Sequence, residues 1–129
     1  MEQVDYSTFR DQFRKIFAQN GLDRFCAEPT IASFEAFTEL LCKVNSHTNL
    51  TAIRTVPGII AKHYADCLLA EPFFPQNATV LDVGCGGGFP CIPLAIARQD
   101  LQITAIDSTA KKIAFVQSAA AAQRLSNLN

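Results

Sequence analysis

TVLDVGCGGGFPCIPLAIARQDLQITAID, residues Thr79 to Asp107, is the stretch whose reading decides the fold. It opens with Thr79-Val80-Leu81-Asp82-Val83, a short apolar run that predicts a buried strand. Glycine then dominates through Gly84-Cys85-Gly86-Gly87-Gly88. Apolar residues resume at Phe89, Ile92, Leu94, Ile96 and Ala97, a spacing that suits a helix. Pro90 and Pro93 fit the first turn of that helix, where a missing N–H costs little. A second strand is expected from Leu101 to Ile106, ending at Asp107. The unit is strand, glycine loop, helix, strand, which implies a right-handed crossover between parallel strands and an α/β fold.

Such a loop permits close approach. Glycine lacks a Cβ, so the backbone can turn sharply and touch a ligand. The loop falls beyond the carboxyl end of a parallel strand, where open α/β sheets place their ligands. An acid at the tip of the next strand can accept hydrogen bonds from ribose hydroxyls. Asp107 lies 19 residues past Gly88, close to the ~20 expected of such an acid.

Spacing bears on which ligand is meant. The dinucleotide fingerprint is G-x-G-x-x-G, and from Gly84 its third glycine falls on Phe89. The pattern here is G-x-G-x-G, at Gly84, Gly86 and Gly88, with Asp82 two residues ahead. A carboxylate is unfavourable beside a pyrophosphate. It is favourable beside a cationic ligand, or as an acceptor for loop N–H groups. S-adenosylmethionine carries an ammonium, a sulfonium and a ribose, and no phosphate. The D-x-G-x-G-x-G string with its second-strand acid resembles the donor loop of the class I, Rossmann-like methyltransferases. A nicotinamide-dependent oxidoreductase is the weaker reading, because Phe89 replaces the third glycine.

Working outward, residues 5–20 place Phe9, Phe13, Ile16 and Phe17 on one face of a helix. Ser7 or Thr8 can cap it and Gly21 can end it. A second helix is expected from Thr30 to about Val44, burying Ile31, Phe34, Phe37, Leu40, Leu41 and Val44. The polar run Asn45 to Thr51 breaks it. A third begins near Thr55 or Gly58, runs through Ile59, Ile60, His63, Tyr64, Cys67 and Leu68, and closes at Pro72-Phe73-Phe74-Pro75. His63 and Asp66 stand three apart and can touch, in a structural or solvated pair rather than a catalytic one. After Asp107, Ser108-Thr109 offers a cap for a last helix to about Arg124. Lys111 and Lys112 read as a solvated face, with phosphate contact the rarer meaning. The chain thus divides into a helical segment, residues 1–75, packing on the sheet, and the first half of a Rossmann-like domain, residues 76–129.

At 129 residues with 49% apolar content, the chain can bury one modest core. No apolar run reaches the ~18 residues of a membrane span, and the charged N-terminus is unlike a secretory signal. Five cysteines, none in C-x-x-C, predict reduced thiols in a cytoplasmic protein and no metal site. Cys85 reads as a small loop filler rather than a nucleophile. The net charge of −1 gives no bulk attraction to nucleic acid. Up to Pro75 there are 7 basic and 9 acidic residues, and beyond it 4 and 3, so no basic stripe appears.

Three stretches together resemble one family. NLTAIRTVPGIIAKHYADCLL (Asn49 to Leu69) is similar to its N-L-T-x-I … H-x-x-D-S-L segment. VLDVGCGGGFPCIPLAIA (Val80 to Ala97) is similar to its D-V-G-x-G-x-G-[FL]-P-G-I-P-L-A-I loop and helix. ITAIDSTAKKIAFV (Ile103 to Val116) is similar to its D-S-x-x-K-[KR]-x-x-F-L strand and helix. The chain resembles the N-terminal part of bacterial small-subunit rRNA methyltransferase G, also called glucose-inhibited division protein B. The resemblance implies N7 methylation of a guanosine in 16S rRNA, with S-adenosylmethionine as donor and the small ribosomal subunit as partner. It implies that Gly84 and Phe89 contact the donor, that Gly86 and Gly88 shape the loop, and that Asp107 is the acid after the second strand. No catalytic residue is implied. Cys91 stands where the family usually has glycine and Cys67 where it usually has serine. Family members continue for several more strands. Here two are expected, with helices over their faces and bare outer edges, so an inactive fragment or a partner-dependent module is the alternative.

Overall fold

The computed structural model describes residues 8–129. Ser7, one of the two expected caps, lies outside the described residues. Thr8 occupies the cap position of α1 (Phe9–Gln19) without a side-chain hydrogen bond. Phe9, Phe13 and Phe17 recur every four residues, so all three fall on one face and are fully buried. Phe13 and Phe17 stack at 3.9 Å, and Phe13 meets Phe34 of the next helix at 5.3 Å. The helix ends as glycine permits: Gly21 takes φ +68°, and the Leu22 N–H reaches back to the Phe17 carbonyl at 2.8 Å.

Helix α2 (Glu28–Asn45) starts with Pro29 in its first turn. Its buried face is Ile31, Phe34, Phe37 and Leu41, together with Thr38 and Asn45, whereas Leu40 and Val44 are half-buried. Thr38 is tolerated inside because its hydroxyl donates to the Phe34 carbonyl at 2.7 Å and lies 2.6 Å from the Tyr64 hydroxyl. Helix α3 (residues 56–69) is capped by Thr55, whose Oγ1 accepts the Gly58 N–H at 3.1 Å. Its middle, Ile60–Ala65, is a π-helical stretch between α-helical Val56–Ile59 and Asp66–Leu69.

The expected strand, loop, helix and strand all form. β1 (Thr79–Val83) and β2 (Gln102–Ile106) are parallel, in register from Thr79 opposite Gln102 to Val83 opposite Ile106. Between them lies α4 (Cys91–Ala97), and α5 (Ala110–Ala122) follows β2. Phe89 and Pro90 stand before α4 rather than in its first turn, because the loop's own hydrogen bonds from Gly88 and Phe89 to the Cys85 carbonyl delay the helix. α5 ends at Ala122, two residues short of expectation, and Arg124 turns back at φ +53°.

Two expectations about the sheet are corrected. The outer edge of β2 is not bare. The Ile103 and Ala105 N–H groups donate to the carbonyls of Asn127 and Asn129, and the Asn129 N–H donates to Ile103. Asn127 is held there because its side-chain amide donates to the Ala95 and Arg98 carbonyls at the end of α4. Nor do helices cover both faces. Asp82 and Ile103 point into the core, with Val80 and Ala105 partly buried beside them. Leu81, Val83 and Ile106 alternate to the other side and are 60%, 69% and 45% exposed.

One hydrophobic core joins the helices to this half-covered sheet. Phe37 is its hinge point, meeting Phe115 of α5 and Phe89 of the glycine loop, each at 6.0 Å between ring centres. Below α4, Arg98 gathers the chain by bonding Glu71 (2.8 Å), Asp100 (2.7 Å) and the carbonyls of Phe74 and Pro75. No helix among the described residues is long and apolar enough to cross a membrane.

Candidate functional site

The glycine loop sits at the carboxyl end of β1, as the strand direction requires. Gly84 and Cys85 both donate to the Ile106 carbonyl, at 2.8 and 3.1 Å, so the loop departs from the tips of both strands. Gly84, Gly86 and Gly88 all have positive φ, at +73°, +54° and +98°, which L side chains rarely adopt. They differ in surroundings. A methyl group added at Gly84 or Gly86 would meet nothing within 4 Å, whereas one at Gly88 would stand 2.5 Å from Cγ1 of Ile92. Gly84 and Gly86 therefore border open space, and Gly88 is a close-packing position.

Asp107 binds the loop. Its Oδ2 accepts the Gly86 N–H at 3.0 Å and its Oδ1 accepts the Thr109 N–H at the start of α5 at 2.8 Å. These N–H groups hold its carboxyl below the usual aspartate range. Each oxygen keeps lone pairs for a further donor. Asp82 takes the other course. It is buried, and its Oδ2 accepts the Cys91 N–H at the start of α4 at 3.2 Å. Burial pushes its carboxyl above the usual range, against the pull of Cys91. Of the two uses open to Asp82, the acceptor for backbone N–H is the one present.

Phe89 turns its ring inward. The ring lies parallel to the His63 imidazole, 4.0 Å away and 6° from coplanar, with Phe37 edge-on behind it. His63 in turn bonds away from its own helix: Nε2 lies 2.7 Å from Thr51 Oγ1. Burial lowers its pKa from the usual 6.5, and the Asp66 charge opposes that. Sequence spacing pointed to Asp66 as its partner and missed Thr51, twelve positions upstream.

Sequence reasoning also missed Asn45. Its Oδ1 accepts the N–H groups of Leu50 and Thr51 at 2.8 and 3.0 Å, and its amide donates to the Thr51 carbonyl at 3.0 Å. One buried side chain thus shapes the polar break after α2. An asparagine at a helix end, followed by a short polar run, was the available signal. His47 in that break lies beside Ser46, with Nδ1 at 3.2 Å from its hydroxyl.

The thiols near the loop are not activated. Burial pushes Cys67 up to about 12 and Cys91 higher still, and raises Cys85 as well. Lys111 is exposed and Lys112 half-buried, and the charge of Lys112 helps to keep Asp107 ionised. Among the described residues no three His, Cys, Asp or Glu side chains are grouped to hold a metal ion. The loop offers backbone dipoles, open space and one ionised acceptor, but no placed base or nucleophile.

Residues 30–129 match the family model of rRNA small subunit methyltransferase G. Curated relatives bearing the name ribosomal RNA small subunit methyltransferase G share substantial identity. That of Deinococcus deserti is 42% identical over 110 residues, covering 84% of this chain and 44% of the relative. That of Anaeromyxobacter dehalogenans is 45% identical over 94 residues, covering 73% and 44%. That of Neisseria meningitidis serogroup C is 40% identical over 119 residues, covering 92% and 56%. The chain spans about half the length of the curated relatives it matches.

Proposed function

This chain belongs to the rRNA small subunit methyltransferase G family, and from that premise we infer that its glycine loop holds S-adenosylmethionine for N7 methylation of a guanosine in 16S rRNA. The observation that carries this reading is the open space beside Gly84 and Gly86, with Asp107 ionised at the next strand tip. The residues fit such a donor. The backbone of Gly84, Gly86 and Phe89 can approach it, Asp107 can accept from its ribose, and the loop carries no cation suited to a pyrophosphate. Asp82 and Gly88 act from behind, by holding α4 and the loop in place. The fold is accordingly read as part of a class I, Rossmann-like methyltransferase, with residues 1–75 as a helical segment on the sheet and 76–129 as the first half of that domain.

S-adenosylmethionine supplies an electrophilic methyl group when bound. Guanine N7 has an available lone pair and loses no proton before it attacks. The protein's task is then positioning and electrostatics rather than general-base catalysis, which agrees with a site that has no activated nucleophile. A guanosine splayed from a single-stranded segment exposes N7 in the form in which RNA is usually read. The reading places the protein with the small ribosomal subunit in the cytoplasm. The second reading, a partner-dependent module or inactive fragment, is favoured by one observation: the apolar sheet face left open at Leu81, Val83 and Ile106.

Calorimetric titration with S-adenosylhomocysteine tests the donor site. The chain should bind it, and Asp107→Ala should weaken binding about tenfold, as expected when a ribose loses its hydrogen-bond acceptor. Binding of NAD without affinity for S-adenosylhomocysteine would overturn the reading. A methyl-transfer assay on undermethylated small subunits then separates the two readings. N7-methylguanosine made by these 129 residues alone supports a complete enzyme, and donor binding without transfer supports the module.

A further inference from the structure

The break between α2 and α3 leans on the glycine loop at two points. A methyl group on Gly87 would stand 3.2 Å from the Leu50 carbonyl oxygen and 3.4 Å from Cε2 of Phe89, so Leu50 packs close beside the loop and leaves no slack for a side chain at Gly87. The second point is the chain of contacts Thr51, His63, Phe89. Thr51 Oγ1 accepts the Ile53 N–H at 3.1 Å and lies 2.7 Å from His63 Nε2. The His63 ring then lies flat on Phe89 at 4.0 Å. Phe89 is the loop's last residue but one before α4, and its N–H closes the loop on the Cys85 carbonyl. His63 itself projects from the π-helical stretch Ile60–Ala65, a local widening that recurs at functional positions in helices.

We propose that His63 is a positioning residue for the glycine loop, tying the Asn45-ordered segment 46–53 to Phe89 and so fixing the backbone from Gly87 to Phe89. The proposal deepens the reading of this loop as the donor site and rests on it. Two different groups carry the tie. Nε2 faces Thr51, and the ring face meets Phe89. Both groups are engaged with the protein, by Thr51 and by Phe89, so His63 acts through the loop and not on the donor. Leu50 backs the loop at Gly87, and Phe37 and Tyr64 pack on Phe89 from the core. The His63 ring adds the parallel contact that links Phe89 to the segment before α3, and the Thr51 hydroxyl holds the imidazole.

Nuclear magnetic resonance of the 129-residue chain provides the test, with amide exchange at Gly88 and Phe89 read against Phe17 and Ala119 in the helices. Thr51→Val keeps the β-branched shape and removes the hydroxyl at a half-buried position, taking from His63 its partner and from the Ile53 N–H its acceptor, and the helix amides report whether the fold is kept. His63→Phe keeps the ring contact, and His63→Gln keeps a polar partner for Thr51. Thr51→Val and His63→Ala should speed exchange at Gly88 and Phe89 about tenfold with the helix amides unchanged, the scale of one lost net hydrogen bond and ring contact. The affinity for S-adenosylhomocysteine should fall by a similar factor, and His63→Phe and His63→Gln should each recover part of the loss. Equal acceleration at all four amides would reduce His63 to general stability and overturn the proposal, as would no change at Gly88 and Phe89. Failure of the wild-type chain to bind S-adenosylhomocysteine would remove the donor reading, while the exchange data would still decide whether His63 holds the loop.

Discussion

Gly88 and Gly84 carry the same backbone conformation for different reasons. Gly88 turns at φ +98°, and a Cβ there would stand 2.5 Å from the Ile92 side chain inside α4. Gly84 turns at φ +73° with open space beside it. A Gly88→Ala substitution incurs both backbone strain and overpacking, together about 2–5 kcal/mol. Gly84→Ala pays the strain alone, about 1–2 kcal/mol. Urea denaturation of the two variants should show that order. Equal losses would mean that Ile92 relaxes without cost. If the loop holds the donor as proposed, donor affinity should separate from stability at these positions, because of the two only Gly84 borders open space. The G-x-G-x-G spacing made the glycines legible in the sequence. It could not tell the packing glycine from the two that border open space, since that difference depends on where Ile92 lies. Asp82 shows the same limit. Its type and position were readable, but whether its carboxylate met a ligand or a backbone N–H was set by α4 starting at Cys91, two residues later than periodicity suggested.

At the scale of elements, local periodicity was a sound guide. The fourfold spacing of Phe9, Phe13 and Phe17, the Gly21 stop and the β1–loop–α4–β2 order were all readable because each depends on neighbours within a turn or two. What stayed hidden depends on partners far along the chain: Asn45 with Leu50 and Thr51, Thr51 with His63, and Arg98 with Glu71. The Arg98 cluster illustrates how much such partners weigh. Its guanidinium bonds two carboxylates and two carbonyls, and Glu71 also binds Arg24 at 3.0 Å. Burial alone would raise the Glu71 carboxyl, but hydrogen bonds from Arg24 and Arg98 bring it below its usual 4.5. The Arg98 guanidinium, helped by the Asn77 N–H, holds Asp100 well below its usual 3.8. Carboxyls with lowered folded pKa values stabilise the fold above their ordinary values, and that stability is lost as pH falls through the folded ones. Wild-type stability should therefore decline below about pH 4.5, and Arg98→Gln should be less stable at pH 7 with a shallower acid decline. Arg14→Gln removes an exposed pair with Glu28 and should change the thermal midpoint little. A pH series of thermal melts on both variants checks the contrast. An Arg98→Gln curve parallel to wild type would show that these carboxyls owe their low pKa to something else.

For the whole molecule, the deciding feature is the sheet that is covered on one side. Alternation along β1 and β2 sends Asp82 and Ile103 into the core and Leu81, Val83 and Ile106 out. Among the described residues β1 pairs with β2 alone, so its far edge is unpaired beside that same apolar face. An open edge next to exposed aliphatic side chains is a template for further pairing. Parallel sheets are normally buried on both faces, and each aliphatic side chain returned to a covered environment contributes about 1.5–3 kcal/mol when fully buried. The 129-residue chain should therefore self-associate through this face. Sedimentation velocity should show a concentration-dependent rise in mass. Leu81→Thr combined with Val83→Thr should shift it toward monomer, because threonine keeps the β-branched shape that suits a strand while removing apolar surface. Both side chains point away from α4 and the core, so the double variant should keep its helical circular dichroism and its amide pattern around Gly88. A wild-type chain that stays monomeric at high concentration would show that three exposed aliphatic residues and one free edge are too little to drive association, and that the half-covered sheet is stable as it stands.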